Sequence, residues 1–110
     1  MTTKEDHFEK AMNAMADGNL AAAIEGLKAA TDLDTQYADA LQALAMLYYQ
    51  TNRYDEAIEA GKRLAQVQPN DILAHTSLSM FYVAKGMVPE AEAEANIARQ
   101  LTWKEQLKKK

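Results

Sequence analysis

Side chains able to do chemistry are scarce in this chain, and their spacing keeps them apart. There are two histidines, His7 and His75, and no cysteine. Without cysteine there is no thiolate nucleophile, no disulfide framework and no sulfur-ligated metal site, which leaves the histidines as candidates for a base or a ligand. The expected role of each is a packing histidine between helices. Glu90, Glu92 and Glu94 occupy alternate positions. On a helix that spacing turns the carboxylates to different faces, so they read as a solvated charge run and not as an acid–base pair. A phosphate-binding P-loop, a dinucleotide glycine motif and an HExxH pair are all missing. No catalytic residue, metal site or cofactor is expected, and the chain is not expected to be an enzyme.

The tail invites one more chemical reading. Lys104, Lys108, Lys109 and Lys110 lie beside Trp103 and Leu107, a basic amphipathic pattern that suits a membrane surface or an acidic partner. The alternative is a continuing last helix whose cations complement its own dipole. One Trp and one Leu give too little apolar area for stable anchoring, so the second reading is preferred, and the helix is expected to run past Leu101.

What must position these residues is a set of helices. Leu41, Leu44, Ala45 and Tyr48 follow the i, i+3, i+4, i+7 spacing of an amphipathic helix, and Tyr54, Ala57, Ile58 and Leu64 continue it after a break. Strand-like alternation is absent. Shifting the sequence by 34 residues brings into register a small-residue series, Ala23, Ala57 and Ala91, and a turn series, Gly18, Asn52 and Gly86. Ala11, Ala45 and Ser79 keep the same period, as do Leu33, Val67 and Leu101. Gly and Asn most readily take the left-handed conformation that ends a helix, so the turn series marks tight helix–helix corners. The resulting expectation is six helices near 4–16, 20–33, 37–51, 54–67, 71–84 and 88–101. Pro69-Asn70-Asp71 separates the fourth from the fifth, and Pro89 falls in the first turn of the sixth, where a missing N–H is harmless. His7 and His75 then lie two periods apart, on the order of 20 Å at ordinary helix spacing. They cannot share a metal.

Composition agrees with a single folded domain. The chain has 110 residues, 48% hydrophobic and 25% charged, enough for a self-sufficient core and too apolar for wholesale disorder. The net charge of -4 argues against nucleic acid, whose binding depends on Lys and Arg displacing counterions. Charge is unevenly placed: residues 4–37 carry three bases against seven acids, 38–71 three against five, and 72–110 six against four. The start, MTTKEDHFEK, is charged where a signal peptide would be apolar, and no run approaches the ~20 apolar residues of a membrane span. A soluble, cytoplasmic protein is the default expectation.

The segment Leu47-Tyr48-Tyr49, the run from Asn52 to Glu59, and Pro69 together resemble the tetratricopeptide repeat, a 34-residue helical hairpin. Leu44, Ala45, Tyr48, Tyr54, Ala57 and Pro69 are in register in the middle unit. The outer units depart from the pattern, with His7 and His75 where the family often has Trp, and Thr35 and Trp103 where it often has Pro. The resemblance implies an all-α, three-repeat solenoid with a right-handed superhelical course: repeats at 4–37, 38–71 and 72–103 within one domain spanning 1–110, and a short basic helical tail at 104–110. Terminal repeats of such arrays are expected to be atypical. Asp6, Lys10, Asn13 and Asp17 are followed one period later by apolar Ala40, Leu44 and Leu47 and by Thr51, while Ile24 and Ile58 give way to Glu92, and Ala65 to Arg99. The expectation is a short module capped at both ends, with end-to-end stacking disfavoured.

The resemblance also implies where a partner would lie, since the first helix of each repeat lines a concave groove that receives a peptide or helix. Those positions here are Phe8, Met12 and Met15, then Gln42, Met46 and Tyr49, then Thr76, Met80 and Val83. Met12, Met46 and Met80 are one period apart and form a ladder, and methionine suits an adaptable apolar surface; the plainer alternative is that the ladder is ordinary core. Some family members clamp acidic C-terminal tails with Lys, Asn and Arg, but the matching positions here are Phe8, Met12, Ala43, Leu73 and Ser77. Two functions remain open: an adaptor, scaffold or chaperone-like module binding an apolar or amphipathic segment of a protein partner, and a self-associating protein that buries the groove in a homodimer.

Overall fold

A computed structural model describes residues 2–109. Met1 and the last lysine of the tail, Lys110, lie outside the described residues. Six helices follow one another: α1 (Lys4–Ala16), α2 (Leu20–Leu33), α3 (Ala38–Gln50), α4 (Tyr54–Val67), α5 (Ile72–Ala84) and α6 (Val88–Lys108). There is no strand among the described residues. The helices agree with the sequence expectation to within a residue at all but one end. That end is the last, where α6 runs on past Leu101 to Lys108, as the reading of the tail as a continuing helix expects.

The hairpin corners repeat one piece of backbone chemistry. Gly18, Asn52 and Gly86 have φ of 81°, 62° and 78°, and each follows the last turn of the first helix in its hairpin. The next residue's amide reaches back to an orphan carbonyl: Asn19 to Ala14 at 2.8 Å, Arg53 to Tyr48 at 2.8 Å, and Met87 to Tyr82 at 2.9 Å. This is the left-handed helix cap that a small or Asn residue makes possible. The starts of α1, α2 and α5 are fixed by side chains. Thr3 and Asp6 exchange two 3.1 Å bonds in a capping box on α1, Asn19 caps α2 through the Ala22 amide, and Asp71 caps α5 through Leu73. Pro89 occupies the first turn of α6.

Packing is strongest within the pairs α1–α2, α3–α4 and α5–α6, and α2–α3 and α4–α5 join them into a row. Such a chain of neighbour contacts defines a three-hairpin solenoid. The small-residue series forms its spine, with Ala11, Ala23 and Ala57 fully buried and Ala45 and Ala91 nearly so. Ser79 takes the third alanine's place and donates from Oγ to the Ala91 carbonyl at 2.8 Å, so its hydroxyl is satisfied where α5 meets α6. Gly61 fits close beside α5: an added Cβ would stand 3.0 Å from Leu78. No helix is long and apolar enough to cross a membrane among the described residues.

Candidate functional site

The sequence-selected groove residues lie on the first helices of the three hairpins, and they do not share one cavity. Phe8, Met15, Gln42 and Met46 share a depression of about 360 Å³ between α1 and α3, together with Asp39, Ala43, Leu47 and Gln50. Asp39 is its only charged lining residue. Phe8, Met12, Met15 and Met46 are half-buried and rest against the main core cluster, so these methionines stand at the boundary between core and surface. Met80 is more open, 37% exposed, and Val83 is exposed at 61%. Thr76 is exposed and donates its hydroxyl to the Ile72 carbonyl. The methionine series is thus graded, sheltered at its first two rungs and open at its third.

Aromatic residues join the helices behind this surface. Tyr49 has the Phe81 ring 5.3 Å away on α5 and the Tyr54 ring 5.8 Å away on α4. It therefore joins α3 to both α4 and α5. Phe8 packs in the same way on Tyr37, at 5.5 Å. Lys4, 2.5 Å from Asp34, also covers the Tyr37 ring at 4.9 Å. Its ammonium is therefore tied to the α2–α3 corner, and the Asp34 bond raises its pKa.

The titratable residues are arranged for structure. His75 is buried; its Nε2 donates to the Pro69 carbonyl at 2.7 Å and its Nδ1 lies 2.7 Å from Glu94 Oε1. Two acceptors face two ring nitrogens, the arrangement of an imidazolium with both N–H groups used. Burial pulls the His75 pKa down, but the bonds to Glu94 and Pro69 and the charges of Glu94 and Asp71 outweigh it, and the net shift is upward. Glu94 was expected in a solvated run with Glu90 and Glu92. The structure corrects this: Glu90 and Glu92 are exposed, whereas Glu94 turns inward to His75. Alternate residues on a helix point about 200° apart, so one member of such a run can face the core. His7 is only half-buried. No cluster that could hold a metal exists among the described residues.

A second depression, about 650 Å³, lies between α5 and α6 and is lined by Thr76, Met80, Ala98, Arg99 and Trp103 among others. The sequence reading placed Thr76 and Met80 in the groove but missed this cavity. Its signal was available in Arg99 and Trp103, which break the series of Ala65 and Pro69.

The repeated corners and the alanine spine decide the family, and comparison agrees. The family model for the tetratricopeptide repeat matches residues 14–80. The chain belongs to the tetratricopeptide repeat family. Among solved structures, a crystal structure of MamA superposes with a TM-score of 0.89 at 30% identity, covering 96% of this chain and 61% of that one. This chain therefore spans about three fifths of that protein's solved length. The *Yersinia enterocolitica* type III secretion translocator chaperone SycD matches with a TM-score of 0.78 at 21% identity, over 89% of this chain and 73% of its own. The second TPR of Spaghetti (RPAP3), bound to the HSP90 peptide SRMEEVD, matches with a TM-score of 0.81 at 17% identity, over 90% of this tetratricopeptide chain and 92% of its own. The last two likenesses concern the fold alone. No curated protein matches the sequence significantly.

Proposed function

We propose that this tetratricopeptide chain is a non-enzymatic interaction module, an adaptor, scaffold or chaperone-like protein, that receives an apolar or amphipathic segment of a protein partner along the α1–α3–α5 face. The observation that carries this reading is the depression bounded by Phe8, Met15, Gln42 and Met46, apolar in its walls and with Asp39 as its single charge. Flexible methionines at a half-buried boundary can repack around differing side chains at small cost. Its likeness to a secretion translocator chaperone and to a peptide-bound repeat domain supports the class of function.

Met46→Glu tests it, read against a panel of amphipathic and apolar peptides. Met46 is half-buried, so the new carboxylate reaches water in the free protein and loses it only when a partner covers it. Peptide capture is expected to fall by at least about tenfold while helicity and melting temperature stay close to wild type. Asp39→Ala, on the rim of the same depression, should be mild. A collapsed melting transition in Met46→Glu, or unchanged capture, overturns the reading. Tight self-association that buries Met46, seen in a sedimentation concentration series, would favour a homodimer that uses this face instead.

A further inference from the structure

The way α5 sits on the hairpin before it provides a template for the open side of the last hairpin. Ala74 packs on Leu41 and Leu64, with Ala38 and Val67 at the edge. Gly61 leaves the room that Leu78 and Phe81 fill, with Phe81 3.4 Å from where its Cβ would be. Advancing that seat by one 34-residue period turns Ala38 into Ile72, Gly61 into Ala95 and Leu64 into Ala98. All three line the 650 Å³ depression between α5 and α6. The cavity is a second copy of the seat that α5 fills. Nothing among the described residues occupies it, because α6 continues as one helix to Lys108.

Of the positions that change, two alter the chemistry of the seat most. Ala65, half-buried against the core, is succeeded by Arg99, and Pro69 by Trp103, which is 60% exposed. Arg99 is the only charged residue in the lining and is bonded to Asn96. A wholly apolar helix would strip water from the guanidinium and return no charge, which is unfavourable. A second copy fits poorly. Its α1 would present Asp6, Lys10 and Asn13 where α5 has Ala74, Leu78 and Phe81, placing Lys10 over the apolar floor. Two seats facing each other would oppose their two Arg99 charges.

We propose that this open seat on α5 and α6 docks an amphipathic helix of another protein whose apolar stripe follows Ala74, Leu78 and Phe81 and whose flank carries a carboxylate for Arg99. The seat shares only Thr76 and Met80 with the groove face, so it stands or falls separately from the function proposed above.

Trp103 is the only tryptophan, and its emission reports on the seat. The probe is a synthetic helical peptide copied from α5, tryptophan-free, with glutamates flanking its apolar stripe; a matched peptide carries lysines there. The glutamate peptide should shift Trp103 emission to the blue in a saturable titration, and the lysine peptide should bind at least about tenfold more weakly. Arg99→Glu lies on an exposed position and should keep wild-type helicity while reversing that preference. If it loses helicity, Arg99→Ala serves, with the preference abolished instead of reversed. Met46→Glu should leave these titrations unchanged. The proposal is overturned by an absent emission shift, by equal binding of the two peptides, by a preference that ignores Arg99, or by a shift that depends on protein concentration alone, which would assign the seat to a second copy.

Discussion

At the scale of single residues, the most informative side chain is one whose role the sequence disclosed only in part. His75 was readable as a packing histidine, and it is buried between helices. Its partners were not readable, because Glu94 looked like one of three equivalent acids and Pro69 offers only a carbonyl. Neither is distinguishable without knowing how α6 is rotated against α5. The pairing has a pH signature. His75's folded pKa is raised, so the stability it contributes is complete below the unfolded pKa of about 6.5 and is lost as pH rises through the folded value. Melting followed from pH 6 upward should show a decline that Glu94→Gln largely removes, since an amide can donate to the neutral ring. Glu94→Ala leaves the buried ring nitrogen without a partner and should cost about 1–3 kcal/mol. If wild type and Glu94→Gln lose stability in parallel over this range, the pair is not the source of the dependence.

At the scale of helices and corners, nearly everything was legible, because turn chemistry and period reinforce each other. Gly18, Asn52 and Gly86 were selected for left-handed backbone, and all three have it. Asn52 is the one that carries a side chain in this region, and its Oδ1 also accepts from the Tyr54 hydroxyl at 2.9 Å. Asn52→Ala should therefore cost about 1–2 kcal/mol, the penalty of a left-handed residue without Asn's local bonding, whereas Asn52→Gly should stay within a few tenths. Chemical denaturation of the pair decides it, and a neutral Asn52→Ala would contradict the strain argument. Gly61 was missed. A lone glycine inside a helical pattern marks close approach, but the 34-residue series puts Ala60 opposite Gly26 and hides the correspondence. Leu78, only 2% exposed, stands 3.0 Å from the added methyl. Gly61→Ala gains about 0.5–1 kcal/mol of helix propensity and meets an overpacking cost of about 1–3 kcal/mol, so net destabilisation is expected in a thermal melt. A more stable Gly61→Ala would mean that α4 and α5 can separate freely.

At the scale of the whole molecule, the solenoid extends 46 × 33 × 22 Å, and its charge changes sign along the row, from acidic in the first unit to basic in the third. The repeat count was legible, since it follows from period alone; the placing of a binding surface on α1, α3 and α5 came from the family resemblance. The division of that surface into two depressions was not legible. It depends on how far α6 overhangs α5 and on side-chain volumes at Arg99 and Trp103, which a periodic pattern does not encode.

That division determines what the molecule should refuse. A short peptide ending in clustered carboxylates would need paired cations on the groove face. The positions corresponding to such a clamp are Phe8, Met12, Ala43, Leu73 and Ser77, none of them cationic. Lys4, one helical turn before Phe8 on α1, is engaged by Asp34 and Tyr37, and the one charge in the depression, Asp39, repels a carboxylate. Within low-dielectric walls that repulsion is stronger than at an open surface, and the overall charge of -4 slows the approach of an anion. Calorimetric titration with such a peptide should give no saturable heat at tens of micromolar, on the scale at which charge-assisted pairs would register. Weak attachment near Arg99 would be visible separately, as a change in Trp103 emission. Micromolar affinity that leaves Trp103 silent and survives moderate salt, where screening removes loose charge contacts, would mean that the groove face holds anions by contacts other than the ones its residues offer.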